Sequence, residues 1–201
     1  MALMLAACGK PDKPTINLYR AVHADDIDQI ERNLFWGADA NLIGPDGDYP
    51  IHVAAQRGNR AIVQVLLKNS AKINSLNSKG MTPLYAAIMH GRVQTAELLI
   101  KHKATFSPND LLHDVASHGI EYKGIINLLL RNGAKLDSRD KNGNTPLHIA
   151  VIGNHRVLVR QLLTRGAHVD TKNNAGDSPL DLATKSGNQT IIKLLEQFGA
   201  N

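Results

Sequence analysis

Residues 145–150 read Thr-Pro-Leu-His-Ile-Ala, and this stretch decides the fold predicted for the 201-residue chain. A threonine followed by a proline is typical of a helix start. The hydroxyl caps the first turn, and the N–H that proline lacks is not needed there. Variants of the stretch recur around Pro50, Pro83 and Pro179, so that the four prolines are spaced by 33, 63 and 33 residues. A fixed period of this length predicts an array of similar units.

A second marker with nearly the same period is an alanine, found at Ala38, Ala71, Ala104, Ala134, Ala167 and Ala200. Within one unit the pattern predicts an apolar helix from Leu84 to about Met89, a break at Gly91, and a second helix from about Val93 to His102. Small residues that let the two helices approach closely are Ala21, Ala54, Ala87, Ala150 and Ala183. Glycines that allow a turn with positive φ are Gly47, Gly80, Gly143 and Gly176. One unit cannot bury its apolar face alone, but stacked units can.

This pattern resembles the ankyrin repeat, whose motif Thr-Pro-Leu-His-x-Ala is intact at residues 145–150. The resemblance covers residues 15–201 and implies an all-α solenoid of six stacked repeats. Each repeat would be a helix-turn-helix followed by a β-hairpin turn. The predicted repeat boundaries are 15–44, 45–76, 77–106, 107–137, 138–170 and 171–201. Residues 1–14 are then a leader and tether outside the ankyrin-repeat domain.

Polar residues at the ends of the array predict caps. One position of the second helix is leucine in five repeats but Asn33 in the first, and the next position is aliphatic in five repeats but Glu196 in the last. We therefore expect Asn33 and Glu196 to lie where a neighbouring repeat is missing, as the polar outer faces of terminal repeats do.

The fourth repeat departs from the period. Eight residues separate Ala104 from Leu112, where the other junctions take thirteen, so the hairpin turn is five residues shorter. The loop between the two helices, around residues 119–124, is two residues longer than its counterparts. The irregularity fits either drift in a tolerant loop or a break in the row of hairpins that shapes a partner's seat.

Composition excludes several classes of protein. Hydrophobic residues make up 43% of the chain and charged residues 20%, which are values of globular proteins. The single cysteine excludes a disulfide framework and a cysteine-rich zinc module. Aromatic residues make up only 4%, and the formal charge of +5 is dispersed, which argues against a nucleic-acid surface. No apolar stretch approaches the roughly 20 residues that span a bilayer.

No residue pattern typical of catalysis is present, neither a Gly-x-Ser-x-Gly elbow, nor a phosphate-binding glycine loop, nor a His-Glu-x-x-His helix. We therefore predict no enzyme activity and no cofactor. His52, His113 and His148 occupy the histidine position of the motif, where the resemblance implies hydrogen bonds to the backbone of the next repeat. His90 and His118 are expected on adjacent repeats about 10 Å apart, too far to share one zinc ion. No metal site is predicted.

The resemblance implies that another protein binds to the hairpin tips and to the exposed side of the first helices, on a concave face. In the first three repeats the predicted partner-binding residues are Asp46, Asp48, Gln56, Arg57, Ser78, Lys79, Met81, Met89 and His90. In the last three repeats they are Ser117, His118, Lys141, Asn142, Asn144, Ile152, Asn174, Asp177 and Lys185. Met81, Met89 and Ile152 are apolar where water is expected, which is the composition of interface centres.

Residues 5–8 read Leu-Ala-Ala-Cys and resemble the lipobox of bacterial lipoproteins. The resemblance implies lipidation of Cys8, with residues 9–14 as a short tether and Gly9 compatible with outer-membrane sorting. Only seven residues precede Cys8 and none of them is basic, whereas a signal peptide has a basic start and an apolar core of about 7–15 residues. A start codon assigned too late, a trimmed chain and a chance match all stay open.

These features predict a binding protein: a periplasm-facing bacterial lipoprotein that sequesters one protein partner. The combination resembles immunity lipoproteins, which implies a toxic effector such as a phospholipase as the partner. The alternative is a cytosolic or secreted ankyrin adaptor or effector that bridges other proteins. Membrane contact is expected through the lipid anchor only, and no nucleic acid is expected. Exposed methionine and isoleucine side chains could also seat a second copy, so the oligomeric state stays open.

Overall fold

The structure is a computed structural model that describes residues 10–200. Over this range the chain forms twelve α-helices and no β-strand. The helices divide between two compact units, unit 1 (Met1–Ala104) and unit 2 (Thr105–Asn201). Each unit contains three helix pairs, so the predicted all-α class and the helix-turn-helix repeats are confirmed.

Unit 1 is built from inner helices, which come first in each pair, and outer helices, which come second. The inner helices are α1 (Leu18–His23), α3 (Pro50–Arg57) and α5 (Pro83–Met89). The outer helices are α2 (Ile27–Phe35), α4 (Arg60–Lys68) and α6 (Val93–Lys101). Inner helices contact inner helices of the next pair, and outer helices contact outer helices. The stack therefore presents one row of inner helices and one row of outer helices.

Unit 2 repeats this arrangement. Its inner helices are α7 (Pro108–Ser117), α9 (Pro146–Ile152) and α11 (Pro179–Lys185). Its outer helices are α8 (Lys123–Arg131), α10 (Arg156–Leu163) and α12 (Gln189–Gln197). Helix α9 contacts both α7 and α11, and α10 contacts α12.

Capping side chains begin the inner helices where the sequence predicts. The hydroxyl of Thr82 accepts a hydrogen bond from the N–H of Tyr85, and Thr145 and Ser178 cap α9 and α11 in the same way. A proline occupies the first helical position each time. Loss of such a cap typically destabilises a helix by about 1 kcal/mol.

The core of each unit consists of the apolar positions that the repeat pattern marks. The alanines at which the helices approach each other are fully buried: Ala21, Ala54, Ala87, Ala150 and Ala183. The leucine position of the outer helices is also fully buried, at Leu66, Leu99, Leu129, Leu162 and Leu195. Small residues thus set a close distance between helices, and leucines fill the space between neighbouring pairs.

Asn33 does not face solvent as expected of a terminal cap; its side chain is only 6% exposed. Its amide donates hydrogen bonds to the carbonyls of Ile16 (2.8 Å) and Gln29 (2.7 Å). Asparagine replaces leucine here because the chain segment that enters α1 offers a buried carbonyl that needs a donor. Glu196, at the other end, is exposed as predicted.

The predicted β-hairpins are tight turns in the described range and contain no regular strand. In the turn before α5, the N–H of Asn77 donates to the carbonyl of Met81 (3.0 Å), and the N–H of Gly80 donates back to Asn77 (2.9 Å). All four predicted turn glycines have positive φ, between 71° and 84°. Neighbouring turns are joined by one backbone hydrogen bond, from Ser78 N–H to Gly47 O (2.9 Å) in unit 1. One such bond is too little for a ladder, but it fixes the spacing of the tips.

The irregular fourth repeat gains helix where the turn is lost. Helix α7 begins at Pro108 with Ser107 as its cap, three residues earlier in the repeat than the other inner helices begin. The loop from α7 to α8 spans residues 118–122, against three residues between α5 and α6. Ser107-Pro108 is the same cap signature as Thr82-Pro83, shifted along the repeat, so the early helix start was visible in the sequence.

Residues 10–15 lie against α2. The indole Nε1 of Trp36 donates to the carbonyl of Pro11 (3.1 Å), and the ammonium of Lys13 lies 5.7 Å from the centre of the indole ring. Asp12 approaches Arg32 at 3.9 Å. Part of the segment predicted as a tether is therefore held on the first helix pair.

The predicted lipidation site, Cys8, lies outside the described residues, as do residues 1–9 as a whole. Among residues 10–200, none of the helices has the length and apolar composition needed to cross a membrane. The lipid anchor remains a prediction.

Candidate partner-binding site

The predicted site residues of unit 1 fall on the turns and the inner helices. The exposed ones are Asp46, Arg57, Ser78, Lys79 and His90. The half-buried ones are Asp48, Gln56, Met81 and Met89. The two methionines therefore offer only part of their side chains to a partner.

The tip of the second repeat is held by its own side chains. Asn77 is buried and donates from Nδ2 to the Asp48 carboxylate (2.6 Å). Asp46 accepts a hydrogen bond from the Tyr19 hydroxyl; burial and this bond raise the pKa of Tyr19 above its ordinary value. Both carboxylates thus shape the turn, which leaves them less free to bind a partner.

Arg57 at the end of α3 forms an ion pair with Asp25. Its Nε donates to Asp25 Oδ2 (3.1 Å), and its Nη2 contacts the same oxygen. The hydrogen bond from Arg57, with one from Asn59, lowers the pKa of Asp25, although burial acts in the opposite direction. The structure thus gives Arg57 an intramolecular partner that the sequence did not reveal.

A cleft of about 570 Å³ lies beside this ion pair. Three arginines line it together with Asp25, namely Arg57, Arg60 and Arg92. Arg92 Nε donates to the carbonyl of Gln56 (3.0 Å), whose own amide lies 3.0 Å from His90 Nε2. The positive excess of this cleft is complementary to an acidic segment of a partner.

In unit 2 the predicted site residues are mostly exposed. The exposed ones are Ser117, His118, Lys141, Asn142, Ile152, Asn174 and Lys185, and Asp177 is half-buried. Ile152 is 60% exposed, the expected state of an apolar contact residue without its partner. Lys185 forms an ion pair with Asp177 (2.6 Å), so these two charges are neutralised within the unit.

Asn144 is only 8% exposed and works inside the turn. Its side-chain oxygen accepts a hydrogen bond from Asn173 Nδ2 (2.9 Å), and its N–H donates to Asp140 (2.8 Å). In the repeat register Asn144 corresponds to Met81, and spacing alone cannot show that one side chain turns inward and the other lies half in solvent.

Three exposed apolar residues near the turns of unit 1 were missed in the sequence analysis. Leu42 is 68% exposed, Leu76 59% and Ile43 48%. Leu42 and Ile43 line a cleft of about 450 Å³ with Tyr19 and Pro45. The repeat register held a signal, since Ile43 and Leu76 lie 33 residues apart, a position that carries arginine and lysine in unit 2.

The motif histidines bind the backbone of the following repeat, as the resemblance implies. Nε2 of His52 donates to the carbonyl of Met81 (2.8 Å), and Nε2 of His148 donates to that of Asp177 (3.1 Å). His113 makes the equivalent bond to Ser138 (2.9 Å). Burial lowers the pKa of His52 and of His148, while the hydrogen bonds to the carbonyls oppose this shift.

These two buried histidines predict a loss of stability in mild acid. Below the ordinary histidine value near 6.5, the unfolded chain binds protons that folded His52 and His148 still reject. The free energy of unfolding is therefore expected to fall as the pH drops from 7 to 5. Urea denaturation at several pH values measures this. His52→Gln combined with His148→Gln should flatten the dependence, whereas the exposed control His102→Gln should not; an equally steep profile in the double variant would contradict the assignment.

No group of three or more His, Cys, Asp or Glu side chains suited to a metal ion occurs within residues 10–200. His90 lies in unit 1 and His118 in unit 2. The prediction that the protein binds no metal is left as it stands.

Comparison with known proteins identifies the family. A family model described as "Ankyrin repeats (3 copies)" matches residues 18–110 and 112–201. The chain is 31% identical over 148 residues to a transient receptor potential cation channel subfamily A member 1 homolog from Caenorhabditis elegans, covering 71% of this chain and 12% of the channel. It is 35% identical over 125 residues to the cyclin-dependent kinase 4 inhibitor B of Mus musculus, covering 59% of this chain and 94% of the inhibitor.

The solved structure of the ankyrin repeat domain of Bcl-3, a member of the IkappaB protein family, has a TM-score of 0.74 to this chain at 25% identity. The alignment covers 94% of this chain and 89% of that one. The two relatives named above are animal proteins, and neither is a bacterial lipoprotein. The family model matches nearly the whole described range and the helix pairs agree with it, so this chain belongs to the ankyrin-repeat family.

Proposed function

We propose that this chain is a non-enzymatic module that holds one protein partner with its turn tips and inner helices. The observation that carries the proposal is the fixed spacing of neighbouring tips in each unit. Ser78 N–H donates to Gly47 O (2.9 Å) in unit 1, and Asn174 N–H donates to Asn142 O (3.0 Å) in unit 2. A surface that is already ordered loses less conformational entropy on binding than a mobile one. The mouse relative is by its name an inhibitor of a kinase, which supports a protein target.

The composition of these surfaces fits a protein interface. Ile152 in unit 2 and Leu76 in unit 1 expose more than half of their side chains. Exposed polar and basic residues, among them Lys79 and Lys141, lie on the tips. Apolar contact residues with a polar surround are the usual anatomy of an interface.

The finer proposal is that the protein is a periplasm-facing lipoprotein, anchored through Cys8, that sequesters a toxic effector such as a phospholipase. It rests on Leu-Ala-Ala-Cys at residues 5–8 and on the binding surfaces described above. The mechanism would be occlusion, in which the bound module covers the active site of the effector or blocks its access to the membrane.

Photo-crosslinking tests the binding face. We expect a benzoylphenylalanine placed at Lys79 or Asn142 to capture one protein in cells that make this chain. The same group at Gln64 or Thr190, which are exposed on outer helices, serves as the matched control. With the captured protein purified, Lys79→Glu should weaken binding at least about tenfold without a change in melting temperature. Arg57 is unsuited to this test because its reversal would also break the ion pair with Asp25.

Capture from the outer-helix sites alone would contradict the proposed face. The lipoprotein proposal has a separate test, in which the chain with its full upstream reading frame is expressed in a bacterium with an acyl-alkyne label. Cys8→Ser should abolish the label and move the protein out of the membrane fraction. An unchanged distribution would overturn the anchor but leave the protein-binding proposal intact.

A further inference from the structure

The exposed residues of the outer helices of unit 2 carry positive charge almost without negative charge. The basic residues on α8, α10 and α12 are Lys123, Arg131, Arg156, Arg160 and Lys193, and the single acidic residue on these helices is Glu196. In unit 1, by contrast, the outer helices expose acidic residues beside basic ones, namely Asp28, Glu31 and Glu97. The charge excess is therefore local to one set of helices, although the chain as a whole is only mildly basic.

Three of these cations converge on one cleft of about 240 Å³ between α10 and α12. Arg156 and Arg160 are four residues apart and so share one face of α10, and Lys193 lines the cleft from α12. Gln189 and Thr190, in the first turn of α12, also line it, and no carboxylate does. The cleft thus combines three positive charges with uncharged hydrogen-bond donors.

The charged groups of Arg156, Arg160 and Lys193 have no ion-pair or hydrogen-bond partner among the residues that the structure describes. The nearby guanidinium of Arg165 is used differently, since it donates to Asn127 Oδ1 (3.0 Å) and to the carbonyl of Gln161 (2.7 Å). Like charges that face one cleft without a counter-charge repel each other, and a bound anion would relieve that repulsion.

The donor set suits phosphate. Arginine presents a planar fork that matches phosphate oxygens, lysine adds a compact charge, and the threonine hydroxyl and glutamine amide can donate as well. The basic residues spread over three helices, whose axes are about 10 Å apart in packed pairs, which suits an extended surface better than one small anion. Val157 and Phe198, on α10 and at the end of α12, are 46% and 40% exposed. Basic side chains interspersed with exposed apolar ones are typical of surfaces that lie on anionic lipid.

We propose that the outer helices of unit 2 bind the phosphate groups of an anionic phospholipid bilayer. This inference goes beyond the protein-binding function and does not depend on it, because it uses the outer helices and not the turn tips and inner helices. Contact with lipid through the outer row leaves the inner row of unit 2 available to a protein.

Vesicle co-sedimentation tests the proposal. All proteins are the full chain with Cys8→Ser, so that no acyl group contributes to binding. The test variant combines Arg156→Gln, Arg160→Gln and Lys193→Gln. The control variant removes the same charge from exposed positions of unit 1 with Lys68→Gln, Lys72→Gln and Lys101→Gln. We expect the parent chain and the control to bind vesicles of phosphatidylglycerol and phosphatidylcholine, more weakly at higher salt, and neither to bind pure phosphatidylcholine.

The test variant is expected to bind the anionic vesicles roughly a hundredfold more weakly, since each basic side chain near an anionic surface contributes about fivefold. Arg156→Lys with Arg160→Lys should keep most of the binding, and thermal denaturation checks that every variant is folded. Equal losses in the test and control variants would overturn the proposal, because net charge alone would then explain binding. Binding to a DNA duplex that exceeds vesicle binding and is lost in the test variant would overturn it in favour of nucleic acid.

Discussion

Replacing Gly143 with alanine is expected to lower the free energy of unfolding by about 3 kcal/mol. Gly143 has φ of +75°, in the left-handed region that disfavours a side chain. A Cβ atom at this position would also lie 2.8 Å from the backbone nitrogen of Asn174, in the next turn. That nitrogen donates the hydrogen bond to Asn142 that fixes the spacing of the two tips. The substitution therefore adds a backbone collision to the conformational strain.

Gly176→Ala is the matched control. Gly176 occupies the same position in the next turn and has φ of +84°, but a Cβ atom there would meet nothing within 4 Å. We expect this change to cost about 1 kcal/mol, the strain of the left-handed conformation alone. Urea denaturation of both variants measures the difference. Equal losses would show that the turn holding Asn174 moves aside at no cost and that the tips are not fixed against each other.

Replacing Leu129 with alanine is expected to lower the free energy of unfolding by about 3 kcal/mol, because the truncation leaves a cavity in a packed core. Leu129 is fully buried on α8, at the position where the outer helices of the array carry leucine. Its sequence neighbour Leu130 is only half-buried and provides the control.

Leu130→Ala is expected to cost roughly 1 kcal/mol, since part of its side chain already contacts water. Denaturant unfolding with a common slope for the three proteins gives both values. Similar losses in the two variants would contradict the assignment of Leu129 to the core. A loss below about 1 kcal/mol for Leu129→Ala would mean that the site collapses around the smaller residue.

Local features of the fold were predictable from the sequence because each depends on a few adjacent residues. Thr145-Pro146 announces a helix start because its cap and its fixed φ act within one turn. The turn glycines are needed because the chain must adopt positive φ there. The bond of His148 to the next repeat followed from the resemblance, not from its spacing.

The candidate site was less predictable, because its residues are defined by what they touch. Arg57 reads as a free surface charge until Asp25, 32 residues earlier, is placed beside it. Asn144 reads as a tip residue until its hydrogen bond with Asn173 is known. Asn33 reads as an exposed cap until the carbonyl of Ile16 is found beside it. In each case a partner distant in the chain decides whether a polar side chain works inside the protein or remains available.

The sequence by itself determined that this protein is an array of ankyrin repeats. The period of 33 residues, the caps and the small residues between helices are local and repeat many times, so their signals add up. Only the tertiary structure decided which polar residues are used internally and where unopposed charge collects. Arg156, Arg160 and Lys193 are scattered along the chain and become one basic cleft only when α12 packs beside α10. Electrostatic interactions act through space, so their pattern emerges only after packing has brought distant residues together.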